Sequence, residues 1–180
     1  MLIYSSPLAA LAALLCVLVI VSDLYARRVP NMWLLGALLF GAGILTITWV
    51  YGTGGPLWPA LLGLLVGLVV FLPLHVFGWM GAGDVKFFAI LGFLLGVTAL
   101  LPIWIIASLI AGAHALLILL SRHGLAQAIP GWGATQNWFT NSAFGQRLAA
   151  ARQGRQGLPY AAWLGMGALI VIFNPALMHW

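Results

Sequence analysis

The chain has 180 residues, of which 64% are hydrophobic and 5% charged, and its net charge is +5. A soluble core cannot use so much apolar surface, so composition excludes a soluble globular domain and implies an all-α polytopic membrane protein. Its seven basic residues are scattered between apolar runs, which reads as topology signals and not as a nucleic-acid surface. The single cysteine, Cys16, excludes an intrachain disulfide and a Cys-rich zinc site. Within an apolar run and preceded by Leu15, it reads as a packing residue.

No Lys or Arg precedes the first apolar run, which therefore reads as a retained span and not a cleaved signal peptide. That span covers residues 7–22 and ends at Asp23. A short polar turn, Leu24-Tyr25-Ala26-Arg27-Arg28-Val29-Pro30-Asn31, follows. Pro30 disfavours helix at Val29, and Asn31 suits a cap for the next helix. The second span is predicted over residues 32–51 and the third over residues 57–77, joined by an uncharged Gly/Pro turn.

The segment Gly81-Ala82-Gly83-Asp84-Val85-Lys86 then interrupts the apolar pattern as a predicted loop. Beyond it, residues 87–120 are too long for one span of about 20 residues. Pro102 divides them into predicted helices over 87–101 and 103–120. Residues 121–157 form the one long polar connection, and a sixth span is predicted over 158–173. Within that connection Trp138, Phe139, Phe144 and Leu148 recur at approximately helical spacing near Arg147, Arg152 and Arg155. An amphipathic helix held on the leaflet by anionic lipid and an irregular loop both fit this pattern.

Charge tests the six-span scheme. With Arg27 and Arg28 on the cytoplasmic side, alternation places Lys86, Arg122, Arg147, Arg152 and Arg155 there too. The turns predicted on the other side, at residues 52–56 and near Pro102, carry no basic residue. Both termini are then extracytoplasmic, and Asp23 and Asp84 reach the same cytoplasmic face. Trp33 and Trp79 fall at the inner boundary and Trp49, Trp58 and Trp104 at the outer one, as interfacial belts require. Gly63 with Gly67, and Gly92 with Gly96, offer small-xxx-small faces for close helix packing.

Asp23 and Asp84 are the only acidic residues in the chain. An ionisable residue beside a membrane span is costly and marks a functional site. Two carboxylates are also the smallest set that can divide acid and base roles. A plain structural reading makes Asp84 a helix cap and Asp23 a partner of Arg27 one turn away. A cap alone does not call for the flanking Gly81 and Gly83, which allow close backbone approach. Lys86 reads as a topology anchor or as a group that biases Asp84 or contacts substrate. The histidines, His75, His114, His123 and His179, lack ligand spacing, so no metal is expected and interhelical hydrogen bonding is.

Gly81-Ala82-Gly83-Asp84 resembles the GxGD signature of membrane aspartic proteases, and its extension through Val85-Lys86 resembles the type IV prepilin peptidases. Asp23 with Arg28-Val29-Pro30-Asn31 looks like the first catalytic region of that family, and Leu158-Pro159-Tyr160 like its closing motif. The resemblance implies Asp23 and Asp84 as catalytic residues and Gly81, Gly83 and Lys86 as the active-site loop. Arg28, Pro30 and Asn31 become candidates for substrate contact or structural support. It also implies a prepilin or pseudopilin substrate cleaved after Gly at the cytoplasmic face of a bacterial inner membrane. No cofactor is implied, and membrane lipid is the other expected partner. The cytoplasmic insert with paired cysteines found in bifunctional members has no counterpart here, so methyltransferase activity is not expected. The small size resembles the stand-alone peptidases of tight-adherence, or Flp-type, pilus systems.

One rival reading is a small proton-coupled transporter using the two aspartates as relays. Its carboxylates belong near the bilayer midplane, whereas these lie near span ends. A non-catalytic assembly protein is the other rival, and cleavage activity discriminates against it.

Overall fold

In lipid a spanning segment must satisfy its backbone polar groups internally, so apolar runs of this length become helices. The computed structural model describes residues 6–122, 138, 141–152 and 158–178. Among these residues it contains α1 (Ser6–Ala26), α2 (Asn31–Val50), α3 (Trp58–Val76), α4 (Ala82–Leu95), α5 (Val97–Arg122), α6 (Ala143–Arg152) and α7 (Tyr160–Phe173). A 3-10 turn, Pro175–Met178, follows. The chain is an all-α polytopic membrane protein. Four helices, α1, α2, α3 and α5, are long and apolar enough to cross a bilayer. The two other apolar helices, α4 and α7, have 14 residues each.

α4 is the central post. Val85 and every residue from 87 to 95 are buried, so the helix is enclosed on all sides. It packs against α1, α2, α3, α5 and α7. In lipid the gain from such packing is dispersion and close fit, because the alternative neighbours are equally apolar. Phe88 stacks on Phe71 of α3 with ring centroids 4.0 Å apart. α3 meets α4 at Gly63 and Gly92, where a Cβ on either residue would strike the carbonyl of the other. One turn further, a Cβ on Gly67 would stand 2.8 Å from the Ala89 Cα. The expected small-residue contact therefore forms at Gly63, Gly67 and Gly92. α2 and α3, although consecutive, both approach α4 closely, and their backbones do not come close to each other.

The boundary between the fourth and fifth helices differs from the expected one. The break falls at Gly96, with φ 86° and ψ 168°, and Pro102 lies inside α5. A proline forfeits one main-chain hydrogen bond, which a packed membrane helix tolerates. A backbone at φ 86° leaves the helical region altogether, and glycine adopts it without the penalty a Cβ brings. Gly96 is thus the break itself and not a packing face.

The long polar connection contains α6, which contacts α1. Arg152 Nη2 donates to the Leu24 carbonyl at 3.0 Å. Trp138 is exposed. Phe139 and Arg155 lie outside the described residues, as do the side chains of Phe144 and Leu148. His75 Nδ1 lies 3.0 Å from the Met80 carbonyl, a local contact and not an interhelical one.

Candidate active site

α1 runs through Asp23 to Ala26, so Asp23 is a helical residue and not the end of the span. Asp23 is only 6% exposed, and its carboxylate needs partners to stay there. They come from the start of α7. The Ala162 amide donates to Asp23 Oδ2 at 2.9 Å, and the Ala161 amide faces the same carboxylate. The N-cap of α7 is Pro159, which has no capping side chain and leaves first-turn amides without a local acceptor. Asp23 supplies the missing cap from another helix, and its charge suits the positive end of the α7 dipole.

Arg27 closes α1 in the left-handed region at φ 50°, with its amide bonded to the Asp23 carbonyl at 3.0 Å. A non-glycine residue there is strained by about 1–2 kcal/mol. Burial and the nearby charge of Arg152 hold its guanidinium below the ordinary arginine range, while Asp23 acts in the opposite direction. The Ser22 hydroxyl donates to the Arg28 carbonyl at 2.9 Å and ties the turn back onto α1.

Asp84 sits in the first turn of α4, at the end of that helix nearest Asp23. The segment from Gly81 to Lys86 is therefore not a loop. Gly81, at φ −69° and ψ 143°, is the N-cap, and Gly83, Asp84 and Lys86 are helical. Five apolar residues, Phe87-Phe88-Ala89-Ile90-Leu91, follow Lys86 directly, so the helical pattern extends back to the glycines. The Gly81 amide faces the Asp84 carboxylate, which occupies the third helical position, where a capping box places its acid. The two carboxylates are near enough for the ionisation of one to oppose that of the other.

Gly83 is not in the left-handed region. Its constraint is space, because a Cβ there would lie 3.1 Å from the Cβ of Val29. Asn31 does not cap α2 with its side chain, since Pro30 is the N-cap residue and no side-chain cap bond forms. Asn31 Oδ1 instead accepts from Lys86 Nζ at 3.3 Å, joining the first turns of α2 and α4.

These groups enclose a cavity of about 540 Å³. α1 and the turn after it contribute Asp23, Arg27, Arg28 and Val29, and α2 contributes Asn31. α4 and its cap contribute Gly81, Ala82, Gly83, Asp84 and Lys86. Leu158 and Tyr160 complete the lining. Seven of the eight residues singled out from sequence therefore converge, while Pro30 is not in the wall. Tyr160 and the two α7 amides had no assigned role. The signal for the amides was legible: a helix opening on proline, in a chain with few acids to cap it. Tyr160 is held from behind by the Ser108 hydroxyl at 3.3 Å and lies against Phe71, with centroids 6.4 Å apart.

A cavity that presents two carboxylates, one fixed by helix amides and the other at a helix start, can hold water between an acid and a base. It is walled by basic side chains and open enough to admit a peptide backbone. A family model described as the type IV leader peptidase family matches residues 10–116. That stretch carries Asp23, the turn after α1 and Asp84, and stops short of α7. No curated protein and no solved structure matches the chain. With more than half of its length matched, the chain belongs to the type IV leader peptidase family and is a peptidase of the membrane.

Proposed function

We propose that this peptidase is an aspartic endopeptidase that removes the short basic leader of prepilin-like proteins, with Asp23 and Asp84 activating water. The observation that carries the reading is the meeting of the chain's only two acidic side chains in one cavity, from helices remote in sequence. One ionised carboxylate takes a proton from water as the oxygen attacks the scissile carbonyl. The protonated partner donates to the carbonyl oxygen. When the tetrahedral intermediate collapses, the C–N bond breaks and the leaving amine takes a proton. Two carboxylates in one cavity resist joint ionisation, so the resting pair carries one proton, which leaves one acid and one base.

Arg27, Arg28 and Lys86 line this cavity, and Arg152 lies near Arg27. That clustering supports a cytoplasmic orientation of the site, with both termini across a bacterial inner membrane. The transporter reading gains no support, because neither carboxylate lies midway along its helix. Incubating the purified protein with a prepilin and sequencing the new amino terminus tests the proposal. Cleavage after the glycine that ends the basic leader is expected, and an unprocessed prepilin would refute the substrate assignment.

The Gly83–Val29 contact supplies a second test. Gly83→Val would drive a branched side chain into Val29 and push the first turn of α4, with Asp84, away from the turn that follows α1. A displacement near 1 Å at a reacting group costs about 10²-fold in rate. Gly83→Val is expected to lose cleavage on that scale at a normal membrane level, while Gly83→Ala retains most of it. Full cleavage by a normally inserted Gly83→Val protein would separate this turn from the chemistry.

A further inference from the structure

Beside the polar cavity lies a second depression of about 410 Å³ with an apolar wall. It lies between α2 and α3, whose backbones do not approach closely, and α4 forms its back. Leu34, Leu35 and Leu38 line one side, Leu64 and Leu68 the other, and Ile90 the base. Asn31 and Lys86 belong to both hollows. The bond between their side chains, at 3.3 Å, is therefore the boundary between the aspartate cavity and the apolar slot.

We propose that this slot is the docking site for an apolar segment of the substrate polypeptide adjoining the scissile bond, and that it selects substrates by that segment. The inference rests on the peptidase reading above. Lipid chains cover any apolar face, but this one runs directly into a water-accessible cavity holding two carboxylates. A polypeptide leaving the slot has to give up helical hydrogen bonds before its carbonyl reaches those carboxylates, and in lipid each freed group is costly. Asn31 and Lys86 stand at that transition, both exposed, with amide and ammonium groups that can exchange their mutual bond for bonds to the freed backbone. Leu35 is 49% exposed and Leu68 37%, so the slot walls present side chains to an incoming helix without being needed for the interior of the bundle.

The test uses the full-length protein in lipid nanodiscs and two peptides with the same leader and cleavage site. The long peptide continues into an apolar segment, and the short one ends a few residues after the bond. Leu35→Trp and Leu68→Trp narrow the slot while leaving the aspartate cavity untouched. The unmodified protein is expected to show the lower KM for the long peptide. Each variant should raise that KM about tenfold and leave kcat/KM for the short peptide unchanged. Equal KM values for the two peptides, or variants that process the long one normally, would mean that lipid alone fills the slot and overturn the proposal. An equal loss on both peptides would also overturn it, by showing a general disturbance. If the unmodified protein cleaves neither peptide, the peptidase reading fails first and the slot proposal falls with it.

Discussion

Gly63→Val is expected to remove most of the folded protein from the membrane. At that position α3 and α4 are separated by main chain alone, and an added Cβ meets the Gly92 carbonyl and not a side chain that can turn aside. Overpacking of a core commonly costs about 1–3 kcal/mol when neighbours can adjust. Here the helices themselves must part, so the effect belongs at or above the upper end of that range. α4 touches the five other apolar helices, and its displacement would disturb every contact that positions Asp84. A loss of 1–2 kcal/mol already lowers cellular abundance several-fold. Gly36→Val and Gly112→Val are the controls, because a Cβ at either position meets nothing within 4 Å. Membrane levels and thermal unfolding in detergent should fall sharply for Gly63→Val and little for the controls. A Gly63→Val protein as abundant and as stable as those controls would refute the close contact.

The helical spans were legible because hydrophobic run length is a strong signal in a membrane protein. α2 and α3 lie within one residue of their expected limits. The division of the fourth and fifth helices was misplaced because proline is the louder breaker in sequence, whereas backbone angle decides the outcome. Gly96 adopts an angle that ends a helix, and Pro102 only forgoes a bond. The expectation of a loop at the glycines beside Asp84 fails for a similar reason. Gly81 and Gly83 lower helix propensity, but the buried apolar run beyond Lys86 carries the helix back to Ala82. The pairing of Asp23 with Asp84 was accessible through charge and alternation of spans. The anchoring of Asp23 on α7 was not sought, because it depends on a contact between residues 139 positions apart. Nothing in local pattern encodes such a distance, although the bare proline cap of α7 hints at the need for an acceptor.

Asp23→Asn and Asp84→Asn are each expected to eliminate leader cleavage while leaving the protein inserted. Loss of a positioned acid or base costs about 10²–10⁴-fold, and a pair that works as one unit loses nearly everything with either member. Asparagine at position 23 keeps an oxygen that can accept from the Ala162 amide, so α7 retains its cap and forfeits only the interaction of charge with dipole, about 0.3–1 kcal/mol. Asparagine at position 84 likewise preserves an acceptor for the Gly81 amide. Asp23→Ala lacks that acceptor, leaves the α7 amides open and is expected to lower stability as well as activity. The contrast between Asn and Ala at position 23 therefore separates the two jobs of one carboxylate.

The most direct measurement is leader cleavage from a purified prepilin by the unmodified protein, by each Asp→Asn variant, and by an equal mixture of the two variants, at matched amounts of folded protein. Because Asp23 and Asp84 of one chain face the same cavity, cleavage is predicted for the unmodified protein alone, with no recovery in the mixture. Processing at the unmodified rate by either variant, or recovery of activity on mixing, would contradict a site built from two carboxylates of a single chain.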